Sequence, residues 1–191
     1  MIVRYIPILE LPVLIIMVLM RAALLRKKGI KAMVFGATDK TDFLMIPIIF
    51  CFFYALIASM TTLPLPGILK MLFWESTICN WAAIAICTAS LVWFGITLKI
   101  FGNSFRVGID ENTSDKLITN GTFAVSRNPI YVGFIVFFIG IFLVYPNIVT
   151  SFFLILLTVT IHRQIIREEK FLVSFYGDEY KNYCMRVRRY L

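Results

Sequence analysis

Apolar positions along this chain gather into five runs, at 5–25, 43–61, 78–101, 129–145 and 148–163, and most of the charge lies between and after them. Lipid offers no partners to backbone polar groups, so a segment crossing ~30 Å of hydrocarbon satisfies them internally, as about 20 helical residues do. The pattern predicts an all-α integral membrane protein with five transmembrane helices. The fourth run is short, and its turn, Tyr145-Pro146-Asn147, leaves almost no connection to the fifth, which makes those two runs antiparallel neighbours. The fifth helix continues past its apolar part. From 148 to 176 it would measure ~43 Å at 1.5 Å per residue, so its last turns stand in the interface and the cytosol.

Charge gives these spans a direction. Lys and Arg stay on the cytosolic side of a membrane protein. Here Arg21, Arg26, Lys27, Lys28, Lys31 and Lys40 follow the first run. Lys99, Arg106, Lys116 and Arg127 lie around the third connection, and Arg163, Arg167, Lys170, Lys181, Arg186, Arg188 and Arg189 end the chain. Those are 17 of the 19 basic residues, with Arg4 and Lys70 opposite. An outside N-terminus and a cytosolic C-terminus follow. The basic cluster comes after the first apolar run instead of before it, as in a retained anchor and unlike a cleaved leader.

At 191 residues and 60% apolar, with a mean hydropathy of +0.85, the chain is too hydrophobic for a soluble domain and reads as a single membrane domain over 1–191. The net charge of +8 flanks apolar segments and forms no basic, aromatic-interleaved face, so no nucleic-acid partner is expected. Cys51, Cys79, Cys87 and Cys184 show no CxxC pairing, and the single histidine leaves no metal site and little support for a Ser-His-Asp arrangement.

Two polar clusters flank the last two runs. Arg127-Asn128-Pro129-Ile130-Tyr131 opens the fourth; His162, Glu168-Glu169 and Tyr176-Gly177-Asp178-Glu179-Tyr180 follow the fifth. A hairpin through the bilayer would bring both to one side, a convergence its stability does not require. Asn128-Pro129 reads as helix punctuation, Asn at the N-cap and Pro at the first helical position, and a helix start also offers free donors to an anionic group. Tyr131 is by default an interfacial aromatic. On the fifth helix His162 and Glu169 share a face, as do Gln164 and Glu168; the bland alternative is a solvated, charged helix end. Arg163 lies at the depth where a guanidinium fork could orient an anionic headgroup or carboxylate. Glu10, within the first run, is a carboxylate near enough to the outer end to reach water. The connection 102–128 is longer than most loops, and its 117–125 stretch alternates apolar residues with turn formers, which argues for order.

The segment 102–190 resembles the isoprenylcysteine carboxyl methyltransferase family and its relatives that methylate phospholipid amines. The resemblance rests on Gly102, Leu117-Ile118-Thr119 with Gly121, the block Arg127-Asn128-Pro129-Ile130-Tyr131-Val132-Gly133, then Glu168-Glu169, Leu172, Phe175, Gly177, Asp178-Glu179-Tyr180, Tyr183 and Val187. Two positions depart from it: Asn128, where the family commonly has His, and Thr122-Phe123, where it often has Pro-Tyr. The resemblance implies S-adenosylmethionine as methyl donor and S-adenosylhomocysteine as product, bound without a Rossmann fold. Its cofactor positions fall on Asp115, Lys116, Leu117, Ile118, Phe123, Asn128, Pro129, Ile130, Tyr131 and Glu168. The arginine that holds the substrate is assigned to Arg163, with Arg167 as the second choice, so the catalytic pair is Arg163 and Glu168. The substrate implied is a prenylcysteine-bearing protein or a small prenylated lipid-like molecule, its tail entering from the surrounding membrane lipids and its carboxylate methylated on the cytosolic side. The short chain and minimal loops fit a prokaryotic member in the cell membrane. A phospholipid-amine N-methyltransferase is the nearest alternative, and a small transporter or structural membrane subunit the alternative of another class. For the last, Gly133 and Gly140 are the only hint, and small residues more often mark close helix packing.

Overall fold

The computed structural model describes residues 2–27, 45–102 and 117–191, and every regular element among them is helical. After a 3-10 turn at Ile2–Tyr5 come α1 (Ile6–Lys27), α2 (Met45–Met60), the short α3 (Gly67–Lys70), α4 (Thr77–Phe101), α5 (Pro129–Val144), α6 (Ile148–Tyr176) and α7 (Asp178–Arg186). Three helical stretches, Val3–Lys27, Thr77–Phe101 and Ile148–Tyr176, are long and apolar enough to cross a membrane. α2 and α5 are apolar but have 16 residues each, ~24 Å of rise, which falls short of the bilayer core. Of the five expected runs, three thus form helices of spanning length and two form shorter apolar helices, with 43–44 of the second outside the described residues. The expected overhang of the last long helix is one unbroken element of 29 residues.

Local chemistry sets the boundaries. Ser76 caps α4 by accepting from the Cys79 amide. Asn147 and Thr150 form a reciprocal capping box at the start of α6, so the turn after Tyr145 reverses the chain within a few residues. α6 stops at Gly177, whose φ of +55° favours a residue without a side chain, and α7 begins at once with Asp178 and Glu179 in its first turn, where acidic groups suit the helix dipole.

Packing between α4 and α5 is the most extensive among the described residues. A Cβ on Gly140 would come within 2.3 Å of Cys87 Sγ and 3.2 Å of the Ala83 carbonyl oxygen, and Gly133 rests against Trp93 and Phe94. Ser90 Oγ donates to the Gly133 carbonyl at 2.6 Å and Trp93 Nε1 to the Pro129 carbonyl at 2.8 Å. The two glycines therefore mark close helix approach, reinforced by side chains reaching across, as between helices in lipid. Phe52, Phe138 and Phe153 cluster where α2, α5 and α6 meet. Outside this core, α1, α4 and α6 expose Leu9, Ile16, Leu19, Ile78, Trp81, Val92, Phe152 and Ile155, an apolar surface suited to lipid. Glu10 is partly buried against α4 and accepts from Thr88 Oγ1 at 2.6 Å.

Candidate active site

The start of α5 and the far end of α6 meet. Tyr131, on the first turn of α5, donates from its hydroxyl to Glu168 Oε1 at 2.6 Å, and Gln164 Nε2 donates to the same oxygen at 2.8 Å. Glu168 and Gln164 lie one turn apart on α6, so the expected shared face exists and Tyr131 completes it from the neighbouring helix. The carboxylate is half-buried.

Next to it, Glu169 turns into the protein and is buried. Arg189 reaches it through Nε, 3.2 Å from Oε1 and 3.1 Å from Oε2, and through Nη2, 2.8 Å from Oε2, and Arg127 Nη2 lies 3.2 Å from Oε1. This pairing raises the pKa of Arg189, first through the hydrogen bonds to Glu169. Tyr180 and Tyr183 close the base of the site. Burial pushes the Tyr183 hydroxyl up to about 12, against the lowering charge of Arg127, and this hydroxyl donates to the Phe123 carbonyl at 2.6 Å. Burial likewise raises Tyr180, with the Glu169 charge as the next cause.

The expected site residues from Leu117 onward each have a place. Asn128 stands at the N-cap of α5 and Pro129 at its first position, but the Asn128 side chain does not cap the helix. Its Nδ2 donates instead to the Arg189 carbonyl at 3.1 Å. Phe123 is buried in a 3-10 turn with its ring against Phe101, ring centres 5.0 Å apart. Leu117 and Ile118 are half-buried, and Ile130 packs on the main core. Arg163 is exposed and about 140° around α6 from Glu168, whereas Arg167 is half-buried beside it. Asp115 and Lys116 lie outside the described residues. His162, also exposed, has Nδ1 2.6 Å from Tyr190 Oη. Sequence reasoning did not assign Arg189 or Trp93 to this region: an arginine among several basic residues reads as one more solvated charge, and no motif singles out Trp93.

The donor set suits a zwitterionic ligand. The Asn128 side chain leaves the start of α5 uncapped, so the Ile130 and Tyr131 amides there suit an anionic group, and Glu168, bonded to Tyr131 of that same turn, suits a cationic one. An amino-acid end carries both charges.

Three apolar helices of membrane-spanning length, one of them carrying a half-buried acid near its end, define the class of a membrane protein. The family model described as phospholipid methyltransferase matches residues 76–179, more than half of the chain, and the chain belongs to that family. It is similar to the protein-S-isoprenylcysteine O-methyltransferase of Schizosaccharomyces pombe, at 37% identity over 89 residues that cover 45% of this chain and 38% of that protein. A probable protein-S-isoprenylcysteine O-methyltransferase of Oryza sativa subsp. indica is 34% identical over 89 residues, 45% of this chain and 47% of its own length. The Tribolium castaneum protein-S-isoprenylcysteine O-methyltransferase is 29% identical over 126 residues, 64% of this chain and 43% of its own. The chain thus spans less than half the length of these curated relatives. No solved structure matches it.

Proposed function

We propose that the protein is an S-adenosylmethionine-dependent methyltransferase that esterifies the terminal carboxylate of a prenylated cysteine. The observation that carries this reading is the meeting of Tyr131 and Gln164 on one oxygen of Glu168, at the helix start that the family match includes. The relatives' names supply the substrate class.

S-adenosylmethionine would supply a methyl group on a sulfonium, already activated for transfer. Glu168 would bind the ammonium of its amino-acid end, and the first amides of α5 the carboxylate. Leu117, Ile118 and Phe123 would line the nucleoside side, with Asp115 and Lys116 continuing it. A terminal carboxylate, with a pKa of about 3.5, is ionised at neutral pH and needs no general base. The protein's task is to remove water and hold the attacking oxygen in line, which is chiefly positioning. Arg163 would hold that carboxylate through its planar fork, with Arg167 as the second candidate. In this reading all five apolar helices cross or enter the bilayer, the basic segments lie in the cytosol, and the prenyl tail approaches from lipid.

The family model's own description favours a second reading, a phospholipid-amine N-methyltransferase. An amine must lose a proton, and Glu169 is poorly suited to accept it because guanidinium groups occupy both its oxygens. His162 would be the remaining base near the rim. Incubation of purified protein with radiolabelled methyl donor and, separately, a prenylcysteine or a phosphatidylethanolamine separates the two. Label in the prenylcysteine ester that alkali releases as methanol supports the first reading; alkali-stable label in the phospholipid alone contradicts it.

A further inference from the structure

Residues 187–191 run back across the candidate site as a strap, and their attachments are specific. The Arg127 amide donates to the Arg188 carbonyl at 3.0 Å. Ser126 Oγ and Asn128 Nδ2 both donate to the Arg189 carbonyl, at 3.4 and 3.1 Å. The Arg189 side chain extends the other way, to α6, and binds Glu169 through both Nε and Nη2. One residue therefore grips α6 with its guanidinium and the entry to α5 with its backbone. Arg127 joins the same carboxylate, but its Nε is buried without an acceptor among the described residues, so Arg189 makes the more complete pair.

Spacing converts this grip into a device. Arg127 and Tyr131 stand four positions apart at the start of α5; Glu169 and Glu168 are neighbours on α6. The Arg127–Glu169 and Tyr131–Glu168 contacts are two rungs between the same elements, and the strap is fastened over the first of them. A charged, forked pair that is partly desolvated has a narrow range of favourable geometries, so it fixes the second rung more tightly than a neutral contact would.

We infer that Arg189 and Glu169 are positioning residues, which latch the C-terminal strap over the start of α5 and thereby present Tyr131 and Glu168 to the methyl donor. The inference rests on the methyltransferase reading of this site. It gives the strap a role in donor binding and none in the bond-making step.

Arg189→Ala in the full chain is expected to weaken S-adenosylhomocysteine binding and raise the donor KM by about tenfold or more, the usual weight of a charged hydrogen-bonded contact, with kcat changed much less. Arg189→Lys should recover part of the loss. Arg186→Ala, which removes an equal charge from the exposed end of α7, should change neither. Carboxypeptidase should trim the C-terminus faster in Arg189→Ala than in wild type, and S-adenosylhomocysteine should slow trimming of wild type. An Arg189→Ala protein with wild-type KM and trimming rate overturns the inference, as does one that loses kcat at unchanged KM. Should Arg189→Ala fail to fold, Arg189→Lys and Tyr190→Phe carry the same expectation in smaller measure, and wild-type behaviour in both overturns it. If wild-type protein binds no S-adenosylhomocysteine, the methyltransferase reading itself fails, while the trimming rates still report whether Arg189 fastens the strap.

Discussion

A carboxylate that accepts from a tyrosine and a glutamine on the same oxygen can be relieved of its charge without being relieved of its shape. Glu168→Gln keeps an acceptor for both Tyr131 and Gln164, so the fold should survive while the donor KM rises about tenfold or more, the weight of one charge-assisted contact. Tyr131→Phe removes one hydrogen bond to that carboxylate but leaves its charge, and should raise it by roughly fivefold, near 1 kcal/mol. Steady-state kinetics on both variants checks this order, and equal effects would contradict it. Tyr131 and Glu168 were legible as candidates because each sits in a polar cluster beside an apolar run. Their contact was less legible, since it joins positions 37 apart. The Arg189–Glu169 pair was not legible at all: with Arg186, Arg188 and Arg189 close together, nothing in the sequence marks the one that folds inward.

Two helix contacts give predictions of their own. Gly140→Ala would place a methyl well inside van der Waals contact with Cys87 Sγ and tight against the Ala83 carbonyl, so the thiol must move or α4 and α5 separate. Overpacking of this kind costs about 1–3 kcal/mol, visible as a lower thermal midpoint in detergent, and Cys87→Ala in the same protein should restore part of it because the nearest atom is then gone. Tyr183→Phe removes the bond to the Phe123 carbonyl and should cost about 1 kcal/mol at neutral pH. The folded pKa of Tyr183 lies above its ordinary value of 10.0, at about 12, so the contribution is complete below pH 10 and is lost as pH rises through 12. Stability curves of wild type and Tyr183→Phe should therefore converge over that alkaline interval; a constant gap would contradict the assignment. Run lengths located the helices because lipid dictates a minimum, and Asn128-Pro129 marked the entry to α5. The Asn128 side chain escaped the reading, since a residue at an N-cap is expected to serve its own helix, and here it serves the strap.

For the molecule as a whole, the distribution of Lys and Arg predicts an orientation that the helices alone do not. In a cysteine-free background, cysteines placed at Lys70 and at Arg188 should react with an impermeant maleimide from opposite faces of sealed vesicles, and labelling from one face would break the five-span topology. The apolar helices were readable because run lengths follow from composition, whereas the candidate site depends on how three elements converge, which composition does not encode. The central claim is that this convergence, α5 start against α6 end, forms a cofactor site, and calorimetric titration of purified protein with S-adenosylhomocysteine tests it most directly. Saturable one-to-one binding, weakened about tenfold or more in Glu168→Gln, is the predicted result; no heat of binding to folded wild type, or binding indifferent to Glu168→Gln, would contradict it.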